Sequence, residues 1–438
     1  MTIKIRLEFK IVICYDDMTI KNFKEGGSVV SYKSLRELSY SKGGDIEAVY
    51  RERFCSEYAE KLDLQVAGYQ AFFVQCPEVT ARALSILRLD KQICDLTRSL
   101  PGAAALQYAR KCLVDEIVIT NNIEGVHSSR REIGDRLEEL GKQSAQKGRA
   151  GKFYGLVLKY SRLMGGEEVR LGTARELRAL YDEIVLPEVV KDNPKNRPDG
   201  ELFRKDMTEI KTASDRVKHR GAYPESAIID GVEKALAFLN DNGVDPLYRM
   251  CIFHYLLEYI HPFYDGNGRL GRFILSCGIA ENLETLLAYR ISGTIKENIG
   301  KYYRAFDICN DKRNRGDLTP FLIMMLDMLE DSAAELKSSL VEKLESWDYY
   351  ERAISSYPES GSGKRMRRLY SLLIQAALFS DVGISTGDLE GELGISFATM
   401  KKLLTPIENA GLLRSQFVKR EKYYWLDLDK ADTLAGMR

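Results

Sequence analysis

The sequence predicts a mainly α-helical chain with an N-terminal α/β extension and a C-terminal winged helix-turn-helix. Three observations carry this. From Pro77 to about residue 345, apolar residues recur every three or four positions, the period of amphipathic helices. Before residue 75 the pattern is instead β-branched and alternating, as in strands. After the linker YPESGSGKR (357–365) the order is helix, short helix, turn, helix and hairpin, that of a winged helix. The expected domains are therefore 1–75, 76–345 and 346–438.

The elements follow in order. IKIRLEFKIVICY reads as a strand, GGSVVSY as the start of another, and IEAVYRERFCSEYAEKL (46–62) as an amphipathic helix. VTARALSILRLDKQICDLTRSL, ALQYARKCLVDEIVITNN, REIGDRLEELGKQSAQ, GRAGKFYGLVLKYSRLM and ARELRALYDEIVLPEVV are successive helical segments. KDNPKNRPDGELFRKD (191–206) is dense in Pro, Asn and Gly and reads as loop. MTEIKTASDRVK then forms a short hairpin, and VEKALAFLN restores a helix. DPLYRMCIFHYLLEYI (245–260) is a strongly apolar helix, followed by helices in RFILSCGIAENL, YYRAFDICN and TPFLIMMLDMLEDSAAELKSSLVEKLESW.

Composition narrows the function classes. At 438 residues the chain has room for two or three domains. Lys+Arg and Asp+Glu stand at 64 each, so no global field favours nucleic acid or an anionic membrane. The eight cysteines are scattered without a CxxC pair and only four histidines occur, which excludes zinc-ligand spacing. That usage fits reduced thiols in a cytosolic protein. MTIKIRLEFKIVICYDD lacks a secretory apolar core, and FLIMMLDML (321–329) is too short to span a bilayer. A cytoplasmic protein without a membrane partner is expected.

The chemistry concentrates in HPFYDGNGRLGR (261–272). Pro262 resists continuation of the preceding helix, which leaves His261 at or just beyond its end, where the imidazole can face a cleft. Gly266 and Gly268 permit a tight turn and close approach of a ligand to the backbone. A helix starting near Arg269 directs free amide hydrogens into that turn, an anion site. Arg269 and Arg272 lie three apart on one face and can reach one polyphosphate. Asp265 offers a hard oxygen ligand for Mg²⁺. Together these residues point to phosphoryl or nucleotidyl transfer with His261 as general base.

HPFYDGNGRLGR resembles the Fic-family motif HPFx(D/E)GNGRxxR at every defined position, and the likeness extends over the helical core from roughly 80 to 340. The resemblance implies a Fic-type helical bundle that transfers AMP from ATP to a Tyr, Thr or Ser hydroxyl of a target protein and releases pyrophosphate. It implies that His261 deprotonates the target hydroxyl and that Asp265 binds Mg²⁺. Gly266, Asn267, Gly268 and Arg269 would hold phosphates, and Arg272 would contact the γ-phosphate. In the Doc-like kinase branch a lysine replaces the second motif glycine; here it is Gly268, which argues for AMP transfer. The hairpin at Thr208, Glu209, Ile210 and Lys211 resembles the flap that pairs with a target segment by strand addition. Tyr302, Tyr303 and Asn310 match the spacing of adenine-side residues; packing between helices explains the tyrosines almost as well.

TNNIEG (120–125), within segment 115–126, places Glu124 in the last turn of a helix with Gly125 beyond it. An acidic group there opposes the helix dipole, which suggests a cationic partner. Thr120 and Glu124 share a face, and TNNIEG matches the family's inhibitory motif (S/T)xxxE(G/N). The resemblance implies that Glu124 pairs with Arg272 and blocks the γ-phosphate position, a self-inhibited enzyme with its inhibitory helix N-terminal to the core. In some relatives the same glutamate helps remove AMP from targets, so the reverse reaction is a second expectation. His254, seven residues before His261, reads as a buried, hydrogen-bonded histidine rather than a metal ligand.

At the C-terminus, ATMKKLLTPIENAGLL is the candidate recognition helix, with Lys401, Lys402 and VKREK as candidate phosphate contacts. DLEGE and WLDLD bring the region to near neutrality, so DNA and a protein partner both stand open, as does a homodimer. The rival reading is a DNA-binding regulator with a nucleotide-sensing, catalytically idle core. The intact His261 and Asp265 favour the enzyme.

Overall fold

In the computed structural model, residues 32–41, 45–142, 152–211, 217–418 and 421–434 are described. The strands read in IKIRLEFKIVICY and in GGSVVSY before Tyr32 lie outside these residues, as do Lys419 and Arg420 of the VKREK stretch.

Two short helices, α1 (Leu35–Leu38) and α2 (Ile46–Phe54), precede a hairpin of β1 (Ala59–Val66) and β2 (Tyr69–Val74). The helix expected over 46–62 thus stops at Phe54. Leu62 and Val66, the buried positions of β1, are four apart, a spacing that fits a helix and a strand equally well. Pairing with β2 decides for the strand. The two-residue turn has positive φ at both Ala67 (53°) and Gly68 (87°), the geometry that matches the twist of antiparallel strands. β2 docks on the main bundle through Leu318 N–H to Phe72 O (2.7 Å) and Val74 N–H to Thr319 Oγ1 (2.9 Å).

The bundle begins with α3 (Pro77–Ser99) and α4 (Gly102–Ile123), continues through α5 (Arg130–Lys142), α6 (Tyr154–Met164), α7 (Ala174–Ile184) and α8 (Leu186–Asp192), and reaches a second hairpin, β3 (Glu209–Lys211) and β4 (Val217–Arg220). Next come α9 (Glu225–Leu239), α10 (Pro246–Ile260), α11 (Asn267–Asn282), α12 (Thr285–Ala288), α13 (Ile291–Glu297), α14 (Ile299–Cys309) and α15 (Thr319–Ala353). The helix starts follow local chemistry. Thr173 and Glu176 form a reciprocal capping box on α7, and Asp245 caps α10 ahead of Pro246 at its first position. α10 buries Leu247, Cys251, Phe253, Tyr255, Leu256 and Ile260 on nearly all sides, which makes it the central helix. α15, 35 residues long, packs most extensively along α3.

Beyond α15 lie α16 (Lys364–Phe379), β5 (Ile384–Ser385), α17 (Thr386–Leu393), α18 (Phe397–Asn409), β6 (Leu413–Val418), β7 (Glu421–Leu426) and α19 (Leu428–Leu434). The three strands form an antiparallel sheet in the order β5-β7-β6, and Gly394, with φ 61°, ends α17 before the turn into α18. Leu369, Leu373, Leu389, Met400, Ile407 and Leu426 fill a core between helices and sheet. The chain is therefore mainly helical, as expected. No described helix is long and apolar enough to cross a membrane.

Candidate active site

α10 must stop at Ile260 because Pro262 cannot continue it. His261 closes the helix in the left-handed region (φ 54°, ψ 62°), a conformation that costs a non-glycine residue about 1–2 kcal/mol. Two contacts hold it there: its N–H bonds Leu257 O (2.9 Å), and its carbonyl accepts from Arg204 Nε (2.9 Å). The fully buried Arg204 also donates to Ala222 O (2.8 Å) and Asp206 O (2.7 Å). A guanidinium thus caps the negative end of α10 and ties it to the strand β4 side. Sequence reasoning passed over Arg204, since an arginine in a loop rich in Asn and Pro carries no periodic signal. Burial, with Arg204 and His219 nearby, lowers the His261 pKa to about 4. The imidazole is therefore neutral at pH 7 and able to accept a proton.

The loop that follows is anchored by stacking. Phe263 lies parallel to Tyr181 at 3.6 Å between ring centroids, and Tyr181 Oη donates to Asp265 O (3.0 Å). Gly266 sits at φ 82°, and a Cβ there would collide with the Val185 side chain. Asn267 opens α11, so the amide hydrogens of Asn267, Gly268 and Arg269 have no acceptor within the helix. These are the donors of an anion site. The Asn267 side chain, expected on phosphate, is committed elsewhere: it accepts from Phe263 N–H (3.0 Å) and donates to Phe263 O (2.9 Å). It builds the loop. Asp265 is partly exposed, and its carboxylate is the kind of hard oxygen donor that a cation such as Mg²⁺ takes.

The two arginines diverge. Arg269 Nη1 donates to Glu188 Oε2 at 2.9 Å, while Glu188 Oε1 accepts from Phe153 N–H at 2.7 Å. Arg269 Nε is buried without a partner. Arg272 points the other way, to the end of α4. Its Nε donates to Thr120 Oγ1 (2.8 Å), and its Nη2 to Thr120 O (3.1 Å) and Glu124 Oε1 (2.7 Å). Glu124 caps α4 on its carbonyl end, and Gly125 follows at φ 71°. Burial opposes ionisation of Glu124, but the charge and hydrogen bond of Arg272 outweigh it and hold the carboxyl below its usual range. The absence of a Cβ at Gly268 is what admits the Glu124 carboxylate, for a methyl there would overlap Oε1.

Around this centre, Tyr302 Oη meets His254 Nε2 at 2.7 Å; burial, then Arg272, lowers the His254 pKa to about 3, so it stays neutral. Tyr303 is half exposed and packs edge-on to Tyr302, and Asn310 Oδ1 accepts from Tyr255 Oη (2.6 Å). In the β3–β4 hairpin, Glu209 pairs with Arg220, Ile210 with His219 and Lys211 with Val217. Thr208 joins it through Gly221 N–H to Thr208 O (3.2 Å), and His219 Nε2 lies 2.6 Å from Tyr259 O on α10. The hairpin therefore borders His261. Glu258, one turn before His261, is a second residue that sequence reasoning missed; it reads as one polar position in an apolar helix.

Residues 173–277 match the Fic/DOC family. A 51-residue stretch is 45% identical to a probable protein adenylyltransferase of Aquifex aeolicus, covering 12% of this chain and 16% of that protein. Over 145 residues the chain is 26% identical to a protein adenylyltransferase of Caenorhabditis elegans, covering 32% of this chain and 26% of the relative. The matched segments thus span about a sixth to a quarter of those curated relatives. Among solved structures, a Fic family protein from Desulfovibrio desulfuricans G20 is similar at 20% identity and a TM-score of 0.48, over 82% of this chain and 98% of that one.

Proposed function

We propose that this chain, whose residues 173–277 are a Fic domain, is a protein adenylyltransferase that uses ATP to place AMP on a Tyr, Thr or Ser hydroxyl of a target protein. The observation that carries the reading is a neutral His261 held at the mouth of a loop with free amide donors. His261 accepts the hydroxyl proton as the oxygen attacks the α-phosphorus; the bond to the β-phosphate oxygen breaks and pyrophosphate leaves. The amides of Asn267, Gly268 and Arg269, with Arg269 Nε, stabilise phosphate charge. Asp265 would hold Mg²⁺, which neutralises phosphate charge when bound. The β3–β4 hairpin would align an extended target segment through its open strand edge. Tyr302, Tyr303 and Asn310 would line the adenine side, with Tyr303 the exposed member.

Glu124 is the brake. Its carboxylate takes the Arg272 donor that the γ-phosphate would use, so ATP lies unproductively until α4 yields. The same glutamate would serve the reverse reaction, removal of AMP. The C-terminal helices and sheet act as a winged helix, with Lys401 and Lys402 exposed on α18 for a DNA or protein partner. ATP labelled at α or γ, supplied to the Glu124→Gly chain, tests the reading. Label from the α position alone on protein, lost in His261→Ala, supports it. Label from γ supports a kinase, and none from either supports a nucleotide-sensing regulator.

A further inference from the structure

A mostly buried acid beside His261 has no task in the mechanism. Glu258 sits on α10 one turn before His261, its side chain only 13% exposed. Its Oε1 is buried with no hydrogen-bond partner. His261 Nδ1 is buried too, and it faces the Glu258 main-chain carbonyl as well as the Glu258 side chain. The two side chains face each other, with Glu258 Oε2 4.0 Å from His261 Nδ1. Room for the carboxylate comes from α11, where a Cβ on Gly271 would lie 2.8 Å from Glu258 Oε1. An unsatisfied carboxyl in such a place costs about 1–3 kcal/mol or more, which calls for a function.

We propose that Glu258 is the positioning residue of His261: its carboxylate accepts the Nδ1 hydrogen, which leaves the Nε2 lone pair free to take the target's proton. This rests on the adenylyltransferase reading. Closing the gap to about 2.9 Å needs a side-chain shift of about 1 Å. The protonation state decides the tautomer. An ionised Glu258 accepts from Nδ1–H and exposes Nε2 as a base; a protonated Glu258 donates to Nδ1, so the ring proton sits on Nε2 and the base is lost.

The groups around Glu258 make the brake act on this switch as well. His254 and His261 face it from α10, Arg272 from α11, Tyr302 and Tyr303 from α14, and Glu124 from the end of α4. Burial first, then the Glu124 charge, pushes the Glu258 carboxyl up to about 8, with Arg272 opposing. While Glu124 sits on Arg272, its charge thus adds to burial in favouring a protonated Glu258 and the idle tautomer of His261. Removing Glu124 lets Glu258 ionise at lower pH.

The test uses the full chain labelled with ¹⁵N-histidine, its four histidines assigned with His261→Gln. In wild type, the His261 tautomer should switch to the Nδ1–H form as pH rises through Glu258 ionisation. In Glu124→Gly the switch should move to lower pH, and in Glu124→Gly/Glu258→Gln it should vanish. Glu258→Gln is isosteric with the protonated acid and should leave the fold intact, which the spectra of the other three histidines check. In transfer assays Glu258→Gln should lower kcat of the Glu124→Gly enzyme about 10- to 100-fold, with KM for ATP unchanged and no pH step. Glu258→Asp in the same background should restore part of the step. A His261 tautomer and titration that ignore Glu258→Gln overturn the proposal, because the Glu258 main chain alone would then orient the ring. Failure of Glu124→Gly to transfer AMP at all retires the adenylyltransferase reading instead, while the spectra still report on Glu258.

Discussion

Two arginines three residues apart on α11 make pairs of opposite kind. Arg269 and Glu188 are 2% and 5% exposed, and both Glu188 oxygens have donors. That pair is closed on its carboxylate side. Arg272 is equally buried, but its partner Glu124 is 28% exposed and caps the C-terminal end of a helix whose dipole disfavours an acid. Arg272 also keeps Thr120 Oγ1 and O if Glu124 leaves. In the proposed reading the first pair is a rivet and the second a latch; what separates them is not charge or distance but whether the carboxylate can depart without stranding its partner.

Substitutions should separate the two. Glu188→Ala strands a buried guanidinium and the Phe153 amide, and is expected to cost about 3–5 kcal/mol in urea unfolding. Glu124→Gly should cost under about 1 kcal/mol in the same measurement, since the lost pair is partly solvated. It should instead raise transfer of labelled AMP by about 10- to 100-fold. Thr120→Val leaves Arg272 Nε without its acceptor and should cost about 1–2 kcal/mol, with a smaller gain in transfer as the latch loosens. The smallest effect is that of mild acid. The folded Glu124 carboxyl titrates below its unfolded value, so the pair holds at neutral pH and fails only as pH falls through that lowered value. Wild-type transfer should therefore stay low from pH 7 to about 5.

How far the sequence reads into this site follows the same division. His261, Asp265 and the glycine turn are local: Pro262 and the Gly266-Asn267-Gly268 run announce a helix stop, a turn and a helix start within a few residues. Arg272 and Glu124 became a candidate pair only because each lies in a recognisable motif, 148 positions apart. Arg204, Glu188 and Glu258 carry no such mark. Arg204 acts through carbonyls of α10, and Glu188 meets Arg269 across 81 positions. Neither contact leaves a trace in periodicity. Asn267 was legible as a site residue but not in its task, because its amide serves the loop's own backbone. The hairpin β1–β2 escaped for a related reason: Leu62 and Val66 satisfy two periods, and only pairing with Tyr69–Val74 selects one.

The most direct test is incorporation of α-labelled AMP into protein by wild type, Glu124→Gly and Glu124→Gly/His261→Ala at equal concentration. The expected result is little label from wild type, strong label from Glu124→Gly, and none once His261 is also replaced. Equal labelling by wild type and Glu124→Gly would contradict the brake, and labelling that survives His261→Ala would contradict its role as the base.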